Sequence, residues 1–382
     1  MLKISTLFDG GSIEVVSLDD PQNIQVRLKP DNAADFRQWF YFRLQGAAYL
    51  PCVIDFGDMS NTAYPAGWED YQAVASYDRK NWFRVPTSFE NNCLKIHHTP
   101  LANSVYYAYF EPYSYEQHLN LLGEVQGSGL CQIEDLGETL DGRDLNLLTI
   151  GNQMESDIKI WLIARQHSGE TMGQWLAEGF LMRLLDFQDS LSRSLLDMAT
   201  VFVVPNMNPD GSYRGNLRTN AAGANLNREW LNPTMQKSPE VFLVREKMLA
   251  TGVDIFLDIH GDESIPYVFL SGTEGVPNYS PKIAELENIF KTSFQAACPD
   301  FQDEFGYPKA DAGKADLSWA SNFVGNQFGC LSFTLEMPFK DNFNYPDDDY
   351  GWNGQRSLRM GECLLNPLLE VCRKLKSVSN EQ

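Results

Sequence analysis

The spacing of hydrophobic residues changes once along this chain, near Pro112. Before that point the apolar residues fall in short strand-like runs with almost no helical period. The runs occupy residues 12–18, 23–29, 38–45, 49–56, 81–85, 92–98 and 105–111. Turn-forming clusters separate them, such as Asp9-Gly10-Gly11 and Lys29-Pro30-Asp31-Asn32. Several short strands at this spacing predict an all-β antiparallel sandwich domain over residues 1–113. Aromatic side chains crowd the same stretch: Trp39, Phe40, Tyr41 and Phe42, then Tyr106, Tyr107, Tyr109 and Phe110. Rings of this size belong between two sheets, so we assign them to the sandwich core rather than to a ligand platform.

Beyond Pro112 apolar strands alternate with helices. Ser114-Tyr115-Glu116-Gln117 has the form of a helix start, with Ser114 as N-cap and Gln117 at the third helical position. Strands are predicted at 146–150, 158–164, 200–204, 255–259 and 331–335, and helices at 172–187, 239–250, 282–297 and 360–376. This alternation predicts an α/β domain over residues 114–382, with a mixed, mostly parallel sheet flanked by helices. Residues 377–382 read as a frayed tail.

Composition narrows the class. At 382 residues the chain exceeds one ordinary core, in keeping with two domains. No window approaches 18 uninterrupted apolar residues, and the first residues are too polar for a signal peptide, so a cytoplasmic protein is expected. Seven cysteines, an odd number with no Cys-x-x-Cys pair, fit reduced structural thiols. A formal charge of −21 argues against nucleic acid and anionic membranes as partners.

Candidate chemistry begins at Arg165-Gln166-His167-Ser168-Gly169-Glu170-Thr171, where a predicted buried strand emerges. A histidine nitrogen and a carboxylate oxygen are two of the three protein ligands of a catalytic zinc. The chain has five histidines, which narrows the search for a third. His260 closes the apolar run 255–259, and open α/β sheets place ligands beyond the carboxyl ends of their strands. His97 and His98 lie in the sandwich half and His118 in the helix after the boundary, where packing or surface roles suit them. In Leu331-Ser332-Phe333-Thr334-Leu335-Glu336, the alternation sets Glu336 on the polar side at a strand end. There it is an edge charge, an arginine partner or the general base of a metal hydrolase. The stretch 206–230 carries Arg214, Arg218 and Arg228, either solvated or aimed at carboxylates and oxyanions.

Taken in order, these elements resemble the zinc metallocarboxypeptidases of the carboxypeptidase A type: His-x-x-Glu, Asn-Pro-Asp-Gly, an arginine, Asn-Arg, a strand-end histidine and Phe-Thr-x-Glu. The likeness covers about residues 118–345. Gln38 to Arg43, the aromatic run into Glu111-Pro112-Tyr113, and Leu136 to Arg143 are similar to the cytosolic carboxypeptidase subfamily, which has a β-sandwich ahead of the peptidase. The resemblance implies one Zn2+ held by His167, Glu170 and His260, with a fourth position for water. It implies Glu336 as general base, Arg218 facing the oxyanion, and Asn227 and Arg228 binding the substrate's terminal carboxylate. The implied partner is a peptide or protein C-terminus, and the subfamily points to glutamate, for which Arg214 and Lys314 are candidate side-chain cations.

Three departures from the family pattern stand out. Asn225 occupies a position often held by aspartate. Tyr307 is the only tyrosine in 305–322, and we leave it outside the catalytic set. Glu229 follows Arg228, where it is placed to tie up that charge. Two other readings stand beside the peptidase: a zinc amidohydrolase acting on small N-acyl amino acids, and an inactive interaction protein.

Overall fold

The computed structural model describes residues 1–151 and 158–379. Residues 380–382 of the expected tail lie outside these, and the last helix runs to Ser379.

The first ten strands build two five-stranded sheets. They face each other across Phe40, Phe42 and Tyr107. Tyr41 and Tyr106 pair on the opposite face of their sheet, and Tyr109 and Phe110 pack on Phe339, so only part of the expected aromatic core lies between the sheets. Phe40 and Phe42 of one sheet lie 4.8 and 6.5 Å from Phe56 of the other. Alternation sets the faces: Ile24 and Val26 are buried while Gln25 and Arg27 are exposed. The sheets depart from a purely antiparallel sandwich in one pair, since Ile24–Arg27 runs parallel to Cys52–Asp58. Between them the chain crosses to the other sheet at Tyr41–Gln45 and back, so it returns in the same direction.

From Tyr115 onward the chain folds around one seven-stranded sheet. Its spatial order is Cys131–Glu138, Asp144–Ile150, Ala199–Val204, Ile158–Ala164, Ile255–Asp262, Leu331–Pro338, Phe269–Ser271. The middle four strands are parallel and the outer ones antiparallel. Ile158–Ala164 shows why its sequence is continuously apolar: Ile160 and Leu162 pack on one face, Trp161 and Ile163 on the other. The capping box at Ser114 is formed, with Gln117 N–H donating to Ser114 Oγ (3.1 Å) and Ser114 N–H to Gln117 Oε1 (2.9 Å).

One expected helix proves to be two. Over 360–376 the chain forms the end of Gly354–Cys363 and most of Leu365–Ser379. Pro367 has no N–H for the carbonyl four residues back and its ring crowds that carbonyl, so the first helix stops at Cys363. Gly354–Cys363 lies tightly against Met172–Leu184. A Cβ on Gly361 would overlap the Leu176 carbonyl, and one on Gly179 the Leu358 carbonyl.

The topology creates the crevice. After Ile158–Ala164 the chain adds Ala199–Val204 on one side and later Ile255–Asp262 on the other. The loops leaving these strands therefore diverge and leave a gap at their carboxyl ends. The sandwich closes against this half through Tyr109, stacked on Phe339 with centroids 4.7 Å apart. Arg84 adds hydrogen bonds to the Phe339 and Trp352 carbonyls, both 2.9 Å.

Candidate active site

The loop after Ile158–Ala164 turns sharply at Arg165, a non-glycine residue at φ 61°. Its buried guanidinium holds that turn by donating to Ser168 O (2.9 Å), Tyr113 O (2.8 Å) and Gln174 Oε1 (2.8 Å). Gly169 sits where a Cβ would come 2.9 Å from Leu217 O, so the His-x-x-Glu turn needs a glycine there. His167 and Glu170 are thereby directed into the crevice. His260 arrives from the neighbouring strand, which continues to Asp262 instead of ending at 259.

The three side chains converge. Glu170 Oε1 lies 2.6 Å from His167 Nδ1, and Glu170 Oε2 lies 2.7 Å from His260 Nδ1. The two Nδ1 atoms are 3.1 Å apart. All three groups are buried, with candidate ligand atoms within 4.8 Å of one another. The far side of each ring is occupied: His167 Nε2–H donates to Asn225 Oδ1 (3.0 Å), and His260 Nε2–H to Asp258 Oδ2 (2.9 Å). Those bonds leave both Nδ1 lone pairs pointing at one spot beside a carboxylate. Two lone pairs this close repel unless a positive charge lies between them, so the donor set fits a divalent cation such as zinc. Burial, followed by the charge of Arg218, pushes the His167 pKa down to about 3, which keeps the imidazole in its neutral, ligating form. Burial alone would lower His260, but Asp258 and Glu170 outweigh it and raise its pKa, so a cation would have to displace a proton from Nδ1 of this ring. Burial likewise opposes the charge on Glu170, yet the two imidazoles overcome this and hold its carboxyl well below the usual range.

Glu336 stands beside His260, its Cα partner across the parallel pair. Burial pushes its carboxyl well above the usual range; His260 opposes this and the Glu170 and Asp262 carboxylates add to it. Its Oε1 accepts from Tyr307 OH at 3.2 Å, and the same hydroxyl donates to Asp262 Oδ2 at 2.6 Å. Its Oε2 is buried without a hydrogen-bond partner among the described residues. Tyr307, left outside the catalytic set on sequence grounds, thus touches the candidate base. Nothing in its flanking residues singled it out; the contact depends on how the loop folds back.

Arg218 Nη1 is 3.9 Å from Glu170 Oε1. Burial works against its charge, but Tyr64, Glu170, Glu263 and Glu336 more than offset it and raise its pKa. The Arg228 guanidinium carbon lies over Trp319, 4.0 Å from the ring centre, and Arg228 Nη1–H donates to Asn227 O (2.6 Å). Its pKa is lowered first by burial and then by repulsion from Arg218. Two partly buried cations that repel each other form a natural receptor for anionic groups. Asn227 is buried, and its Oδ1 accepts from Ala320 N–H (2.8 Å), which turns its amide donors inward beside His260.

Other side chains sort out differently from expectation. Glu229 pairs with Lys237 at 2.7 Å, and among the described residues no ion pair joins it to Arg228. Arg214 is held by Asp141 through two 2.7 Å contacts. Lys314 lines a cavity of about 450 Å³ shared with Tyr307, Trp319 and Ser321. Sequence reasoning missed Asp258, though a lone aspartate two residues before a strand histidine shares its face and was a usable signal. His97, His98 and His118 bond to Ser88, Tyr107 and Asn146, away from the crevice. All seven cysteines are free thiols. Among the described residues no helix is long and apolar enough to cross a membrane.

A buried His-Glu-His cluster at the carboxyl ends of parallel strands, flanked by a carboxyl and two arginines, offers the donor set that a metallohydrolase needs. Comparison with known proteins makes the class specific. The zinc carboxypeptidase family pattern matches residues 117–351, and the cytosolic carboxypeptidase N-terminal domain matches residues 4–110. The chain belongs to the zinc carboxypeptidase family and is a peptidase of that type. A metallo-carboxypeptidase of Burkholderia cenocepacia is 49% identical, with a TM-score of 0.96 over 98% of this chain and 100% of its own. A metallo-carboxypeptidase of Pseudomonas aeruginosa, solved in complex with (2-guanidinoethylmercapto)succinic acid, is 43% identical, with a TM-score of 0.95 over 98% of this chain and 100% of its own. Cytosolic carboxypeptidase 1 of Xenopus laevis is 27% identical over 80% of this chain, which spans 28% of that protein.

Proposed function

We propose that this chain is a cytoplasmic zinc-dependent carboxypeptidase that removes C-terminal residues, glutamate among them, from peptides or proteins. The reading divides it into a sandwich domain over 1–113 and the peptidase over 114–382. The observation that carries it is the convergence of His167, Glu170 and His260 next to Glu336, with two cations alongside.

His167, Glu170 and His260 would hold the metal, with Asn225 and Asp258 fixing the two rings. When bound, zinc supplies Lewis acidity, polarising the scissile carbonyl and making water a nucleophile at neutral pH. The protein's own residues do the rest. Glu336 takes the proton of the attacking water and hands it to the departing amine; its buried Oε2, with no hydrogen-bond partner among the described residues, is free to receive it. Arg218 faces the oxyanion of the tetrahedral intermediate, a contribution on the order of 3 kcal/mol for a donor of this kind. Asn227 and Arg228 take the terminal carboxylate, which selects for chain ends. The succinic acid head of the ligand in the Pseudomonas relative has the same carboxylate chemistry. Tyr307 orients Glu336. Lys314 supplies a cation for an acidic side chain in the adjoining cavity; among the described residues it has no ion pair.

Metal analysis of the purified protein with His167→Ala and Glu336→Gln variants tests the reading. The first should lose zinc, and the second should keep zinc and lose turnover. Peptides differing only in their last residue, run beside N-acyl amino acids, should yield single-residue losses led by glutamate. Equal turnover of the N-acyl compounds would replace this reading with an amidohydrolase.

A further inference from the structure

The segment that presents Arg218 is held from outside the peptidase half. Asp31 belongs to the sandwich, in the turn Lys29-Pro30-Asp31-Asn32, yet its carboxylate is buried against residues 217–219. It accepts from Leu217 N–H (2.6 Å), Arg218 N–H (2.9 Å), Thr219 N–H (2.9 Å) and Thr219 Oγ–H (3.0 Å). Asn32 grips the flanks: its side chain donates to Ala221 O (2.7 Å) and accepts from Asn216 Nδ2 (2.6 Å). Two more sandwich residues, Phe36 and Tyr64, place their rings 5.9 and 5.5 Å from the Arg218 guanidinium.

Three consecutive backbone N–H groups aimed at one carboxylate fix the path of the chain on both sides of Arg218. Without that acceptor, the N–H groups would be buried and unpaired, and the loop would have to move to find partners. The Arg218 side chain is only 12% exposed and its Nη1 lies 3.9 Å from Glu170 Oε1, so a small shift of its backbone changes where its charge points. We infer that Asp31 is a positioning residue for Arg218, and that the sandwich domain is a structural part of the active site. This inference rests on the reading of Arg218 as the oxyanion partner.

The consequence is selective. An arginine aimed at the oxyanion acts in the transition state, whereas the terminal carboxylate is held elsewhere, by Asn227 and Arg228. Misplacing Arg218 therefore lowers kcat and leaves KM nearly alone. The test uses the full chain, loaded with zinc, and compares Asp31→Asn, Arg218→Met and the double variant on one peptide substrate. Asp31→Asn keeps the shape but turns an amide toward N–H donors. Its kcat should fall on the order of tenfold to a hundredfold, with KM within about twofold and zinc content unchanged. Adding Asp31→Asn to Arg218→Met should lower kcat no further. Full additivity in the double variant, or an unchanged kcat in Asp31→Asn while Arg218→Met is impaired, would overturn the inference. An unimpaired Arg218→Met would remove the underlying reading and the inference with it. Should Asp31→Asn fail to fold, Thr219→Val removes one donor to the same oxygen in a near-isosteric side chain. It should lower kcat several-fold at constant KM, and an unchanged kcat there would also overturn the inference.

Discussion

Trp319 offers a direct handle on how this enzyme recognises a chain end. The Arg228 guanidinium lies over its ring, 4.0 Å from the centroid, in a half-buried setting. A cation stacked this way gains about 1–2 kcal/mol when partly desolvated. A ring at this distance restricts how the guanidinium can turn, and a bidentate carboxylate contact depends on that orientation. Trp319→Leu keeps apolar bulk but removes the π face. The residue precedes the helix Ala320–Phe328 without capping it through a side-chain hydrogen bond, so the helix start does not depend on the indole. The proposed carboxylate contact would be made in both substrate and transition state, so its loss would weaken both equally. At tenfold for each 1.4 kcal/mol, KM should rise by about 5- to 30-fold, with kcat little changed. Steady-state kinetics on a peptide pair ending in a free carboxylate or an amide reads this out. The variant should lose part of the preference for the free carboxylate. If that preference is intact, or if kcat falls while KM stays constant, Arg228 does not bind the chain end in the way proposed.

Two further expectations concern stability. Glu240 is fully buried and its pKa is raised to about 7, first by burial and then by Asp210 and Asp141, against a hydrogen bond from Asn220. The folded state thus holds this proton more tightly than the unfolded chain, so the group costs stability as pH rises from about 4.5 to about 7, by about 3 kcal/mol in total. Glu240→Gln should match the parent in denaturant unfolding at pH 4.5 and be more stable above pH 7, and a pH-independent difference would refute the assignment. Gly361→Ala forces a Cβ into the Leu176 carbonyl and should cost about 2 kcal/mol or more, seen as a lower denaturation midpoint.

Much of the site could be read from local pattern. His167 and Glu170 are three residues apart, and a turn at the end of an apolar strand is enough to bring them together. The capping box at Ser114 and the continuous apolar run of 158–164 are equally local, and both are formed. Asn225 stands out in the sequence only as a position often held by aspartate, and its Oδ1 accepts from His167. What escaped notice depends on partners far apart in sequence. Tyr307 meets Glu336 across 29 positions, and Asp31 meets Arg218 across 187. Glu229 was read by adjacency to Arg228, but it pairs with Lys237.

The family resemblance came from the order of a few motifs; the order of hydrophobic runs and the chemistry of a few side chains determined the two kinds of domain and the candidate metal ligands. These follow from periodicities of two and about 3.6 residues and from donor atoms, which any reader of the chain can count. Only the tertiary structure decided which second residues hold the site in place: Asp258 behind His260, Trp319 beneath Arg228, Asp31 behind the Arg218 loop. The reason is physical. A buried acceptor or ring acts through distance and direction to a group on another element, and strand order and loop path set both after the local pattern has been spent.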